Sequence, residues 1–184
     1  MIITWKNLEQ KWRKRLLSSA HGNVLEISAG MGENFKHYPL NVNVTATDTS
    51  ARLIEVVKSE AVKHGVDTEF IVSAVENLDI EEHSFDTVVS TFSITEYENP
   101  VWVLKKFSTW CKPEGSILLL EQGLSRYAPV RMIQKLWDGP NPKKLDDHLN
   151  RDIKAIIGEA QLGIQKMETA MAGTIYLIRA SPAP

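Results

Sequence analysis

The chain has 184 residues, 43% of them hydrophobic and 24% charged, with a formal net charge of −2. That balance suits one compact domain over 1–184, burying roughly 70% of the surface its unfolded chain exposes, and it excludes the globally basic character of a nucleic-acid binder. A single cysteine, Cys111, excludes an intramolecular disulfide, no Cys/His grouping has metal-ligand spacing, and a reducing, cytoplasmic setting is the expectation.

Residues 1–20 read as a helix. Trp5, Leu8, Trp12 and Leu16 recur at helical spacing, with Lys6, Lys11, Arg13, Lys14 and Arg15 mainly off that stripe. Such a helix packs on its own domain or, as a basic amphipathic segment, makes a peripheral membrane contact or serves as a transit peptide. An apolar secretory core is missing, and no apolar run approaches the ~20 residues of a transmembrane helix.

Two periods then alternate. Val24–Ile27 is a short strand ending in a glycine-rich turn, followed by a weak helix. Val42–Thr47 alternates as a strand and ends at Asp48. Ser50–His64 reads as a helix, with Leu53, Val57 and Ala61 inward and Gly65 as its stop. Glu69–Val72 and Phe85–Thr91 are the third and fourth strands. Asn99-Pro100 starts a helix that carries Val103, Phe107 and Trp110 inward, and Lys112–Gly115 turns into the strand Ser116–Leu120. Strands alternating with helices predict a parallel sheet with right-handed crossovers. After a helix around Asn150–Ala160, Ile164–Met171 and Thr174–Ala180 are joined too closely for a crossover and predict an antiparallel hairpin. The expected fold is therefore α/β, Rossmann-like: a seven-stranded, mostly parallel sheet with a C-terminal antiparallel hairpin and helices on both faces.

Ligands of open α/β sheets lie beyond the carboxyl ends of the strands. The turn Glu26-Ile27-Ser28-Ala29-Gly30-Met31-Gly32 ends the first strand, and Gly30 and Gly32 permit close backbone approach. A dinucleotide fold needs a third glycine where this chain has Phe35, so a pyrophosphate is disfavoured. Glu26 is suited to an ammonium group and would repel a pyrophosphate. Asp48 offers two oxygens to two ribose hydroxyls; its alternative reading is a helix N-cap before Ser50.

The segment Val24–Gly32 resembles motif I of class I S-adenosylmethionine (SAM) methyltransferases. Asp48 is similar to the acidic residue of their motif II, Ser84–Val89 to their fourth-strand "SFD-V-V" pattern, and Lys112–Gly115 to their "KPGG" turn. With the terminal hairpin, the resemblance covers about residues 22–180. It is nearest to small-molecule enzymes of the ubiquinone/menaquinone-biosynthesis and thiol or phospholipid type, to which Glu33–Pro39 also points. The resemblance implies SAM as cofactor, held by Glu26, Ser28, Ala29, Gly30, Gly32, Asp48, Thr49, Ala74, Val75, Glu76, Thr91 and Phe92. Two departures stand out. Ser28 replaces a family glycine, and Ala74 replaces the aspartate that meets the adenine amino group, leaving backbone at Ala74 and Val75 for that task.

Methyl transfer needs alignment and exclusion of water more than a dedicated base, so no catalytic residue is assigned. Thr91-Phe92-Ser93 should lie beside the sulfonium, with Ser93, Tyr97, Gln122 and His148 toward the acceptor. Residues 123–149 and the N-terminal helix, including Trp5, are the expected substrate lid. The fourth-strand tip lacks the Asn/Asp-Pro-Pro-Tyr pattern of nucleic-acid and amide N-methylases, which favours a small-molecule acceptor. Three alternatives remain: a SAM-fold binding or assembly factor with little catalysis, favoured by Ala74; a nucleotide-binding oxidoreductase, disfavoured by Phe35; and an RNA or protein methyltransferase gripping its substrate through the basic N-terminal helix.

Overall fold

A computed structural model describes residues 4–137 and 151–183. Seven strands form one sheet: β1 (Gly22–Ile27), β2 (Val42–Asp48), β3 (Asp67–Val72), β4 (Phe85–Thr91), β5 (Cys111–Gln122), β6 (Gly163–Ala170) and β7 (Ile175–Ser181). Their order is β3-β2-β1-β4-β5-β7-β6. The first five pair in parallel, and β7 runs antiparallel to both β5 and β6, as expected from the short final connection.

Helix α1 (Trp5–Leu17) and α2 (Ala51–His64) cover one face; α3 (Pro100–Trp110) and α5 (Ile153–Glu159) cover the other. A further helix, α4 (Ala128–Trp137), follows β5. The caps follow their chemistry. Ser50 Oγ accepts the Leu53 N–H at the start of α2, and Asn99 Oδ1 accepts the Trp102 N–H at the start of α3, with Pro100 in its first turn. Val103, Phe107 and Trp110 are buried as the spacing predicts. Burial of one such large side chain contributes roughly 1.5–3 kcal/mol.

The structure differs from the sequence reading in four places. Between β1 and β2 there is no α-helix, only a 3-10 turn at Phe35–His37, because Phe35 turns into the core edge-on to Tyr38, 5.8 Å between ring centres. The inward face of α2 carries Ile54 with Val57 and Ala61, while Leu53 is half-buried; the face is rotated by one residue to meet β2 and β3. The Lys112–Gly115 segment lies within β5, whose pairing with β4 shifts between Phe85 and Thr87. Finally, α1 buries Arg13, Leu16 and Leu17, whereas Trp5 is 46% exposed and edge-on to Trp12. The helix thus packs on its own sheet through a face that includes an arginine. Among the described residues no helix is long and apolar enough to cross a membrane.

Candidate functional site

The carboxyl ends of β1, β2 and β4 converge, and the turn after β1 is built there. Ser28, Gly30 and Gly32 all take left-handed backbone, with φ of 57°, 56° and 70°. The Ala29 N–H donates to the Thr47 carbonyl at 2.9 Å, and the Gly30 N–H donates to Asp48 Oδ2 at 3.0 Å. Asp48 Oδ1 accepts the Ser50 N–H at 2.9 Å. The N-cap role therefore falls to Ser50, and the Asp48 carboxylate braces the glycine turn while keeping lone pairs in reserve.

The two glycines differ in what they face. A Cβ on Gly30 would have Ser28 O at 3.9 Å as its nearest neighbour, so space is open on that side. A Cβ on Gly32 would lie 3.1 Å from Glu60 Cβ and 3.5 Å from Val57 Cα, so Gly32 serves the packing of α2. The free space for a side chain thus lies at Gly30, while Gly32 is backed by α2.

Ser28 stands at positive φ without being glycine, a strain of roughly 1–2 kcal/mol. Its hydroxyl lies 2.8 Å from the Tyr97 hydroxyl, which ties the turn to the loop after β4. The same loop is held from the other side by the Arg151 guanidinium, 2.6 Å from the Tyr97 carbonyl.

Beneath the turn lies a buried polar network. Glu26 is 1% exposed and accepts from Asn34 Nδ2 and the Tyr38 hydroxyl, each at 2.8 Å. Arg13 reaches in from α1: its Nη1 donates to Asn34 Oδ1 and to Thr91 Oγ1, both at 2.7 Å, and its Nε and Nη2 grip Glu9. The guanidinium also sits 5.4 Å from the centre of the Phe92 ring. Burial pushes the Glu26 carboxyl up to about 7, against the opposing pull of Tyr38, Asn34 and Arg13. Arg13, Asn34 and Tyr38 were not singled out by the sequence; the only signal was a buried-type aromatic and an amide shortly after a turn acid.

Glu121, at the end of β5, is 0% exposed. Its Oε1 accepts the Ser90 hydroxyl at 3.0 Å and faces the Ser93 N–H at 3.4 Å, and Ser93 Oγ lies 2.7 Å from Ser90 Oγ. Ser93, expected toward the acceptor, is thus turned into the gap between β4 and β5. Burial pushes Glu121 up to about 7, partly offset by Ser90 and the loop amides. A carboxyl raised in the fold keeps its proton while the unfolded chain has already released it. Its stabilisation is full below the unfolded value of 4.5 and is lost as pH rises to about 7. Glu121→Gln should flatten this fall, reducing the stability difference between pH 5 and pH 8 by about 2–3 kcal/mol in urea denaturation. Identical slopes for both proteins would remove Glu121 as a source.

The remaining expected residues fall as follows. Ala74 opens the 3-10 turn Val75–Asn77, and its carbonyl accepts from the Asn77 N–H and the Ser73 hydroxyl, each at 3.0 Å. That turn is joined to the site by the Ser73 N–H, which donates to the Asp48 carbonyl at 3.0 Å. Thr49 and Glu76 are exposed, and Val75 is buried. Gln122 is half-buried beside Ile175. Trp5 meets Trp12 at the exposed end of α1, and His148 lies outside the described residues. Among the described residues no group of acids, histidines or cysteines could hold a metal.

Comparison with known proteins agrees with this geometry. A family profile described as a methyltransferase domain matches residues 25–119. The chain is 29% identical over 190 residues to "Methyltransferase OMS1, mitochondrial" of Saccharomyces cerevisiae, covering 91% of this chain and 40% of that protein. It is 28% identical to "Thiol S-methyltransferase TMT1B" of Rattus norvegicus, covering 90% of this chain and 72% of that one. The chain thus spans well under half the length of the yeast relative. Among solved structures, a SAM-dependent methyltransferase from Aquifex aeolicus superposes with a TM-score of 0.65 at 14% identity, over 95% of this chain and 87% of that one.

Proposed function

Because this chain belongs to the class I SAM-dependent methyltransferase family, through the methyltransferase domain matched at residues 25–119, we propose that it transfers the methyl group of SAM to a small-molecule acceptor. The observation that carries this reading is the open side of Gly30 beside a braced Asp48 carboxylate. Glycine leaves room for a ligand to approach the backbone there, and the carboxylate retains acceptor capacity for two hydroxyls. The residues present fit the cofactor. Bound SAM supplies an electrophilic methyl group on a sulfonium.

The protein's part is to bind, orient and exclude water. Asp48 takes the ribose hydroxyls. Glu26 would favour the ammonium of the amino-acid end from beneath the turn, through Asn34 and Tyr38, which already hold its two carboxyl oxygens. Ser28, Ala29, Thr49, Ala74, Val75, Glu76, Thr91 and Phe92 complete the cofactor wall. Tyr97 and Gln122 would border the acceptor together with α1; of the expected lid, residues 138–149 lie outside the described residues. That the rat relative is named for thiol methylation favours a small nucleophile as the acceptor class.

Titration calorimetry with SAM tests the proposal. Wild-type protein should bind, and Asp48→Asn should bind about 10- to 150-fold more weakly, since a charge-assisted hydrogen bond contributes about 1.5–3 kcal/mol. Asparagine keeps one acceptor for the Gly30 or Ser50 N–H, so the fold should persist. No binding by the wild type at millimolar SAM would sink the enzyme reading in favour of a binding or assembly factor.

A further inference from the structure

A second pocket lies away from the cofactor turn, on the flank where the last turn of α1 meets the β6–β7 hairpin. Its volume is about 230 Å³. Arg15, Lys166, Arg179 and Glu168 line it over a floor of Leu16 and Leu177. Three cations thus face one carboxylate. Glu168 is already engaged, 2.8 Å from Arg15 Nη2 and 3.0 Å from Lys166 Nζ.

Arg179 is the unusual member. It stands directly opposite Lys166 in the β6–β7 register, a like-charge cross-strand pair that costs stability when nothing compensates it. Its Nε is buried and has no hydrogen-bond acceptor among the described residues. A buried guanidinium donor left unmatched carries a desolvation penalty that an anion would remove. Ser18 and Ser19 at the rim already donate to α1 carbonyls, at 2.9 Å and 2.8 Å, so the donors for a ligand are Arg179 Nε and those N–H groups of Arg15 and Lys166 not turned to Glu168. Arg15 and Lys166 are 64% and 67% exposed, so a ligand can reach them.

We propose that this pocket is a binding site for a phosphate group, with Arg179 as its anchor and Arg15 and Lys166 as its outer donors. The surplus of two positive charges matches a dianion, whereas a chloride or a single carboxylate would compensate only half of it. A tetrahedral oxyanion also accepts from several directions, as three donors converging from a helix and two strands require. The site is separate from the cofactor reading, since no residue of the turn after β1 lines it.

The test is titration of the full chain with inorganic phosphate at constant ionic strength, followed by calorimetry and by 31P line broadening. Saturable one-to-one binding is expected, weakened at least tenfold by Arg179→Gln, with SAM affinity unchanged. Without phosphate the variant should melt no lower than the wild type, because the like-charge pair is gone. Should Arg179→Gln misfold, Lys166→Gln carries the same test and should also weaken binding. Non-saturable binding, or equal affinity in wild type and the folded variant, overturns the proposal. A second arm uses phosphatidylcholine vesicles with and without phosphatidic acid. Retention on the acidic vesicles that is lost in Arg179→Gln identifies a lipid headgroup as the source. Phosphate binding without vesicle retention identifies a soluble phosphate compound. Vesicle retention that the variant keeps in full belongs to the basic face of α1 and overturns the pocket as the binding element.

Discussion

Replacing Gly30 with valine should abolish most SAM binding, by about 100-fold, while the protein stays folded. The left-handed φ of 56° strains a branched residue by about 1–2 kcal/mol, which the fold can absorb. The new Cβ meets no atom closer than Ser28 O at 3.9 Å, so the side chain projects into the space assigned to the cofactor. Intruding methyl groups in a fitted site cost about 1–3 kcal/mol, on top of the lost backbone approach. Gly32→Val is the contrasting case. Its φ of 70° adds the same strain, but the side chain meets Glu60 and Val57 of α2 at 3.1–3.5 Å. There the loss should be in stability, about 3 kcal/mol or more, read as a lower urea midpoint. If both variants lost the fold alike, or both kept their affinity, the division of labour between the glycines would be wrong.

Arg13→Ala should destabilise the protein by about 3–5 kcal/mol, the usual cost of breaking a buried charge network by removing one partner. The guanidinium holds Asn34 Oδ1 and Thr91 Oγ1 at 2.7 Å and pairs with Glu9 at the same distance. Without it, Asn34 loses the contact that orients its amide toward Glu26, and Glu26 loses its nearest cation. The cost should grow with pH, because an ionised Glu26 then has no cation beside it. Arg13→Lys keeps the charge but not the planar fork, and should fall between alanine and wild type. Urea denaturation at two pH values checks both the size and the trend, and a change under about 1 kcal/mol would show that the network is incidental.

These two predictions divide along what can be read without coordinates. The glycine turn and Asp48 are legible because their meaning is local: a strand, a turn requiring positive φ, and an acid closing the next strand. The strands β4 and β7 and the start of α3 are legible for the same reason, through period and capping chemistry. Arg13 is not. Its partners Asn34 and Thr91 lie 21 and 78 residues away, and an arginine on the polar side of an amphipathic stripe reads as solvated. Glu121 is hidden likewise, since an acid at a strand end looks exposed until the loop carrying Ser93 folds over it. Phe35 was read for what it excludes; the structure shows it as core, which is why the α-helix expected after β1 gives way to a single turn.

The place of β7 has a consequence for how the chain reaches this state. Ile117-Leu118-Leu119-Leu120 of β5 are buried on both faces, with β4 on one side and β7 on the other. β4 precedes β5 in the chain, but β7 is the last strand of this sheet in chain order. Until it pairs, the nascent sheet ends in an edge with unpaired amides around the aliphatic run Ile117–Leu120, the kind of surface on which chains associate. Changes that slow the β6–β7 hairpin should therefore show first as lost yield of soluble protein, before any loss of affinity in the molecules that finish folding.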